Sequence, residues 1–180
     1  KERLNSKIKN KVLEDYLKLI KQNKNKLIIE NKKDIKAAER KKLKENFIKR
    51  LSLNDQKINS IIKSIKTISK FKDPVDFELD RWKRPNGLEI KKVTIPFGVI
   101  GVIYESRPNV TADVSTLCFK SGNSVILRGG TEAYFSNKIL ANLFRKALQK
   151  NKINKNFVQF IDNKNRKLVD FMLSKMANYI

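Results

Sequence analysis

The stretch PFGVIGVIYESRPN, residues 96–109, decides the fold class of this 180-residue chain. Its apolar centre, 99–104, is nearly continuous, as a strand buried on both faces requires. Polar residues and Pro108 follow at once, and a proline in the first turn of a helix sacrifices no hydrogen bond. The pattern predicts a strand, a polar loop and a helix that runs to Lys120 and stops at Gly122.

The same order of elements then recurs along the chain. Buried strands are predicted over 124–127 and 157–161, followed by helices that Thr131 and Asp162 could cap. Strands alternating with helices favour right-handed crossovers and a parallel sheet. We therefore expect an α/β fold, with a βαβαβα unit over residues 97–180.

Two other segments precede this unit. Residues 1–75 form a helical arm, in which apolar residues recur at helical spacing from Leu4 to Leu19 and again over 58–68, with Asn54 as N-cap. The four prolines and six glycines all lie between residues 74 and 130, from the end of the arm onward. Glycine and proline punctuate strands and turns, so the chain is divided after the arm.

A β-hairpin is predicted over 76–96. Residues 88–95 alternate apolar and polar side chains, as a half-exposed strand does, and they can pair with 78–84. The intervening Pro85-Asn86-Gly87 is a turn signal.

Two loops leave the carboxyl ends of the first two parallel strands, which is where such sheets bind ligands. They are residues 104–109 and 128–132. In the second loop, Arg128 offers a planar cation, while Gly129 and Gly130 lack a Cβ and can adopt positive φ. The edge is suited to an anionic ligand. The sequence contains neither the G-x-G-x-x-G dinucleotide fingerprint nor a phosphate-binding P-loop, so spacing alone leaves that ligand unnamed.

Charge allows two interpretations. There are 41 basic and 18 acidic residues, a net charge of +23, which suits a nucleic-acid-binding module. The basic residues are mostly lysines spread through almost every segment, and base-stacking motifs are missing, which favours a solvated surface instead. We expect no nucleic-acid partner.

Other classes of function are excluded by composition. One cysteine and no histidine exclude an intramolecular disulfide and a zinc site of the usual kind. No apolar run reaches the roughly 20 residues that span a bilayer, and the first residues do not resemble a signal peptide. We expect a cytoplasmic protein without a metal and without a membrane partner.

Residues 96–111, PFGVIGVIYESRPNVT, closely resemble a segment of the γ-glutamyl phosphate reductase family, also called glutamate-5-semialdehyde dehydrogenase. The resemblance continues through 120–133, KSGNSVILRGGTEA, and upstream through 84–88, RPNGL. It is looser over the helical arm and the tail.

The resemblance implies an aldehyde-dehydrogenase-like fold with a helical arm, a β-hairpin that acts in oligomerisation, and a partial Rossmann-like sheet. It also implies the NADPH-dependent reduction of L-glutamyl 5-phosphate to L-glutamate 5-semialdehyde and phosphate, in proline biosynthesis. In this family a cysteine thiolate attacks the acyl phosphate, and hydride then reaches the thioester.

The resemblance also assigns residues. Arg128 replaces a lysine of the superfamily that contacts the adenosine ribose, so its fork is expected at the 2′-phosphate of NADPH; the alternative is a structural ion pair with Glu132. Asn109 is the nearest candidate for an oxyanion-binding asparagine. Arg107 is expected to bind the substrate carboxylate or phosphate, or else to pair with Glu105. The residues expected at the cofactor are Tyr104, Glu105, Arg128, Gly129, Gly130 and Glu132.

The family is much longer than this chain, and its nucleophilic cysteine belongs to a catalytic region expected beyond residue 180. Cys118 lies mid-helix between apolar neighbours and is expected to be a buried structural thiol. We interpret the chain as the cofactor-side part of a truncated or fragmentary reductase, homo-oligomeric when complete. A non-catalytic homologue that acts in assembly and a basic nucleic-acid-binding module are the alternatives.

Overall fold

The computed structural model describes residues 4–176, so the outermost residues of the predicted 1–75 and 97–180 segments lie outside the described part. Seven α-helices and five strands are described: α1 Ser6–Gln22, α2 Lys24–Arg40, α3 Glu45–Leu51, α4 Asp55–Ser69, β1 Glu78–Lys83, β2 Glu89–Val93, β3 Val99–Tyr104, α5 Pro108–Lys120, β4 Ser124–Gly129, α6 Tyr134–Lys150, β5 Val158–Phe160 and α7 Lys167–Ser174. Short 3-10 turns, Thr131–Ala133 and Lys155–Phe157, precede α6 and β5.

The arm contains both helices that the apolar periodicity predicted, α1 and α4. The backbone nitrogen of Lys57 donates to the side chain of Asn54 at 2.9 Å, which confirms the predicted N-cap. Tyr16 and Ile58 are fully buried in the same hydrophobic core as Leu127 of β4 and Phe144 of α6. The arm and the α/β segment therefore share one core.

The predicted hairpin is present. Strands β1 and β2 pair antiparallel, and the backbone nitrogen of Arg84 donates to the carbonyl of Leu88 at 2.9 Å across the turn. Nearly every residue of the two strands is exposed, so the alternation of 88–95 does not mark a half-buried strand here. Six large apolar side chains are exposed over residues 76–96: Phe77, Leu79, Trp82, Leu88, Val93 and Ile95.

The parallel sheet has the order β3-β4-β5, which confirms the predicted βαβαβ topology. The prediction that β3 is buried on both faces was wrong. Ile100 and Val102 pack against the core, whereas Ile103, on the opposite face, is 42% exposed. Among the described residues β3 is an edge strand, and its outer face has no covering layer like the one that α5 and α6 provide on the other.

Two predicted helix caps were also wrong. The Thr131 hydroxyl donates to Glu132, and the first amides of α6 are capped by Asp34 of α2, which accepts from Phe135 and Ser136 at 3.0 and 2.8 Å. A carboxylate from another helix has displaced the local cap. Asp162 binds the ammonium of Lys138 at 2.7 Å, and α7 begins five residues later.

Two signals around α5 are confirmed. Pro108 occupies the first turn of α5, and Gly122 has a φ of +76° just after its end. A Cβ at Gly122 would also lie 2.9 Å from the ring of Pro96, so both conformation and space require glycine there.

Candidate cofactor and substrate site

The carboxyl ends of β3 and β4 bring the two predicted loops together. Tyr104 and Gly129 are paired residues at the ends of these strands. Beyond them, the hydroxyl of Ser106 donates to the carboxylate of Glu132 at 2.9 Å. The loops therefore form one edge of the sheet, as the sequence predicted.

The two glycines serve close packing at this edge. A Cβ on Gly129 would lie 2.9 Å from the ring of Tyr104, and one on Gly130 would lie 2.8 Å from the backbone nitrogen of Ser106. Neither glycine has a positive φ; Gly130 has a φ of −55°. Glycine is required because a Cβ would collide with Tyr104 at the end of β3 in one case and with Ser106 of the β3–α5 loop in the other.

Arg128 is 6% exposed, and its guanidinium is held by backbone carbonyls. It donates to the carbonyl of Gly129 and, at 3.4 Å each, to those of Lys164 and Asn165. Its Nε has no partner among the described residues. The alternative ion pair of Arg128 with Glu132 is not formed, and the side chain instead anchors the segment before α7 to the end of β4.

Glu132 is bound on the other side of the loop. Its carboxylate accepts from Ser106 and from Thr131, at 2.9 and 3.0 Å, and the ammonium of Lys41 lies 3.6 Å away. Burial raises the pKa of this carboxyl, but the hydrogen bonds outweigh burial, so its pKa lies below the usual value. Glu132 is therefore an ionised group fixed at the sheet edge.

A cavity of about 450 Å³ opens between this edge and the start of α7. Its polar lining is Tyr104, Arg128, Thr131, Glu132, Lys164 and Arg166. Sequence reasoning missed Lys164 and Arg166, because the strand ends pointed to the first two loops and the third loop had no recognisable motif. Glu105 does not line this cavity.

A buried hydrogen-bond network supports the edge from below. The hydroxyl of Tyr104 lies 2.7 Å from that of Thr111, which in turn donates to Asn137 at 2.9 Å. Burial raises the pKa of Tyr104 to about 12, so the phenol is neutral at physiological pH. The Nδ2 of Asn137 is buried without a partner among the described residues. The side chain of Tyr104 is thus held in place by this network and forms part of the cavity wall.

A second cavity, of about 580 Å³, lies between the α3–α4 region and the start of α5. It contains both residues that were predicted for the substrate, Arg107 and Asn109. The amide of Asn109 donates to Asp113 at 3.3 Å. The cavity also contains Arg50 and Lys57 of the arm, which sequence reasoning missed because nothing in the arm pattern distinguishes them from solvated cations.

Glu105 lies between two arginines of this second cavity. Its carboxylate is 3.3 Å from the guanidinium of Arg107 and 3.8 Å from that of Arg50. Burial lowers the pKa of Lys57 nearby, and its ammonium donates to the hydroxyl of Ser52 at 3.2 Å. The ion pair of Arg107 with Glu105, which was the alternative to substrate binding, is thus formed. The cavity itself is a basic groove, lined by the cations Arg50, Lys57 and Arg107 and by the carboxylate of Asp113.

Cys118 is 8% exposed, which confirms the predicted burial of this thiol, and burial raises the pKa of the thiol to about 11. Within residues 4–176 no three His, Cys, Asp or Glu side chains are grouped as metal ligands. No helix in that part of the chain is long and apolar enough to cross a membrane.

Arm, hairpin and parallel sheet together define an aldehyde-dehydrogenase-like fold. A propionaldehyde dehydrogenase of the Clostridium phytofermentans fucose-utilisation microcompartment superposes with a TM-score of 0.64 at 13% identity, covering 96% of this chain and 36% of that chain. At that identity the likeness concerns the fold alone. No family model matches the chain.

At higher identity, the chain is similar in sequence and structure to γ-glutamyl phosphate reductases. The crystal structure of γ-glutamyl phosphate reductase from Thermotoga maritima superposes with a TM-score of 0.92 at 39% identity, covering 94% of this chain and 41% of that one. The γ-glutamyl phosphate reductase of Nautilia profundicola is 44% identical over 163 residues, and that of Caldanaerobacter subterraneus is 42% identical over 170. The chain is a homologue of γ-glutamyl phosphate reductase over nearly all of its own length, and it spans about two-fifths of the length of these relatives.

Proposed function

We propose that the protein carrying this chain reduces L-glutamyl 5-phosphate to L-glutamate 5-semialdehyde and phosphate with NADPH, in the cytoplasmic pathway to proline. The chain supplies the cofactor side of the site and one wall of the substrate side. The observation that carries the proposal is the identity of 44% over 91% of the chain to a γ-glutamyl phosphate reductase.

The cavity at the sheet edge fits the adenosine end of a nicotinamide dinucleotide. Its volume suits a ribose, its cations suit the phosphates and its carboxylate suits a ribose hydroxyl. The Nε of Arg128, which is buried without a partner among the described residues, is a further donor on the cavity wall. When bound, NADPH supplies the hydride of the reaction. Arg128, held by backbone carbonyls, is a rigid part of the cavity wall. Glu132 has lone pairs left beyond its two accepted hydrogen bonds, and these can accept from the 3′-hydroxyl of the adenosine ribose.

The basic groove fits the substrate. L-Glutamyl 5-phosphate carries a phosphate and a carboxylate, and guanidinium groups bind both in bidentate fashion. Arg107 and Arg50 converge on one anion already, the carboxylate of Glu105. Asn109 uses one amide hydrogen for Asp113, so its second remains for a developing oxyanion.

The hairpin is proposed as the surface through which copies of the complete protein associate. Its apolar side chains, such as Leu79 and Trp82, are exposed, and no residue of β1 or β2 is buried in the described chain. Trp82 lies opposite Ile90 across the two strands, and apolar surface that neighbouring side chains share marks interaction sites in soluble proteins.

The activity is tested in the reverse direction with the protein that carries this chain. Reduction of NADP⁺ by L-glutamate 5-semialdehyde is expected only when inorganic phosphate is present, because the acyl product must leave as the acyl phosphate. Arg107→Ala should raise the KM for phosphate or semialdehyde at least about tenfold, the loss of one charged hydrogen bond. The control is Arg40→Ala, at an exposed arginine outside the groove. Turnover without phosphate would contradict the proposal.

A further inference from the structure

We propose that Arg166 binds the 2′-phosphate of NADPH and so determines the preference for NADPH over NADH. The inference rests on the proposed function, since it concerns the same cofactor. It names a residue outside the two loops that the strand ends indicated.

Arg166 is the accessible guanidinium of the sheet-edge cavity. It lines the cavity together with Gly129 and Gly130, is exposed, and its side chain makes no hydrogen bond or ion pair with any residue of the described chain. A free guanidinium keeps all five donors for a ligand, and its planar fork matches a phosphate. The side chain is therefore available for an anion that enters the cavity.

Arg128 and Lys164, the other two cations of the cavity, are already engaged. Arg128 is 6% exposed and spends its terminal N–H groups on three carbonyls. The ammonium of Lys164 lies 4.5 Å above the ring of Tyr134 and 5.1 Å above that of Phe135. Cation–π contacts hold it near the aromatic rings. Moving either cation onto a phosphate would break existing contacts, whereas Arg166 has none to break.

The position of Arg166 at the start of α7 gives independent support. Arg166 and Lys167 are adjacent cations at a helix N-terminus, where the helix dipole disfavours positive charge. A bound phosphate reverses this cost, because both the dipole and the guanidinium then attract the same anion.

Glu132 makes the complementary arrangement. An acidic residue free to bind both ribose hydroxyls would repel a 2′-phosphate, which is how NAD-specific sites discriminate. Here two hydrogen bonds turn the carboxylate toward Ser106 and Thr131, and Lys41 lies 3.6 Å away. The negative charge of Glu132 is therefore partly neutralised by Lys41.

The test uses two nucleotides that differ only by the phosphate in question. Isothermal titration of the chain with 2′,5′-ADP and with 5′-AMP measures each affinity without any turnover. Arg166→Ala should weaken 2′,5′-ADP at least about tenfold and change 5′-AMP by less than about twofold. Arg166→Lys should recover part of the loss. Lys167→Ala, the neighbouring exposed cation outside the cavity, is the matched control.

Several outcomes overturn the inference. Equal losses for both nucleotides would place Arg166 at a group that they share. A selective loss of 2′,5′-ADP with Arg128→Lys, but not with Arg166→Ala, would return the 2′-phosphate to Arg128. If wild-type chain binds neither nucleotide while its circular dichroism and melting are those of a folded protein, the cofactor part of the proposed function fails, and the inference fails with it. If the wild-type chain binds both nucleotides and neither Arg128→Lys nor Arg166→Ala loses 2′,5′-ADP selectively, the inference fails while the proposed function stands.

Discussion

The backbone nitrogen of Ser106 lies only 2.8 Å from the point that a Cβ on Gly130 would occupy. A main-chain atom cannot move aside as a flexible side chain can. Gly130→Ala should therefore lower the free energy of unfolding by about 1–3 kcal/mol, the usual cost of overpacking. Chemical denaturation measures the change.

The double variant Gly130→Ala/Ser106→Ala separates two sources of this clash. It removes the hydroxyl of Ser106 but leaves the backbone nitrogen in place, so stability should not return to that of Ser106→Ala alone. Full recovery would mean that the hydroxyl is the whole obstacle and that the two loops can separate.

Lys9 and Asp73 form a buried ion pair between α1 and the segment before the hairpin. The ammonium is 2.8 Å from the carboxylate, with side chains 1% and 18% exposed. Asp73→Ala leaves the buried ammonium unpaired and should destabilise the fold by roughly 3–5 kcal/mol. Lys9→Met/Asp73→Leu removes both charges and should cost less than Asp73→Ala. A larger loss in the double variant, measured by denaturation, would contradict this account.

The carboxyl of Asp15 should make the stability of the fold depend on pH in the acid range. Burial raises the pKa of its carboxyl, but hydrogen bonds from Lys150 at 2.7 Å and from Asn151 at 2.9 Å outweigh burial and leave the pKa below its ordinary value. A depressed pKa contributes stability above the unfolded value of about 3.9, and that stability is lost as the pH falls through the folded pKa. Asp15→Asn should thus be less stable than wild type at pH 7, with the difference shrinking below about pH 4. A constant difference in melting temperature across this range would be evidence against the effect.

Cys118 is the sole cysteine of the 180 residues, and no histidine is available to activate it. Its thiol pKa of about 11 leaves almost no thiolate at neutral pH, so alkylation of the folded chain should be far slower than that of the unfolded chain. Cys118→Ser should leave nucleotide binding unchanged. NADPH turnover by this chain that Cys118→Ser abolishes would show that the thiol is catalytic after all.

The elements that the sequence predicted are those with a local apolar period. Helices α1 and α4 and the βαβαβ order required no knowledge of distant residues. Helix α2 was missed because its buried stripe, Leu27, Asn31, Asp34 and Ala38, is half polar. Asn31 donates to the carbonyl of Leu51 and accepts from the nitrogen of Leu53 at 2.9 and 2.7 Å, so tertiary hydrogen bonds replace apolar contacts. No pattern in one chain identifies such partners.

The candidate site divides in the same way. The edge that carries Tyr104, Arg128 and Glu132 followed from strand ends, which are local. What each side chain does there depends on residues far away in sequence, such as the carbonyls of Lys164 and Asn165 that occupy Arg128. The same distance hid Arg50, whose contact with Glu105 joins the arm to the loop after β3.

The shared core of the arm and the sheet also constrains how the chain is made. Asp15 finds its partners 135 and 136 residues later, and Asp34 caps a helix 102 residues downstream. A ribosome adds about 5–20 residues per second, so α1 waits on the order of ten seconds before α6 exists. During that interval the face of α1 that carries Val12, Leu13 and Tyr16 lacks α6, the helix that contacts it in the folded protein. We therefore expect the nascent arm to bind chaperones, and synonymous changes that slow translation between residues 40 and 150 should lower the soluble yield without altering the folded protein.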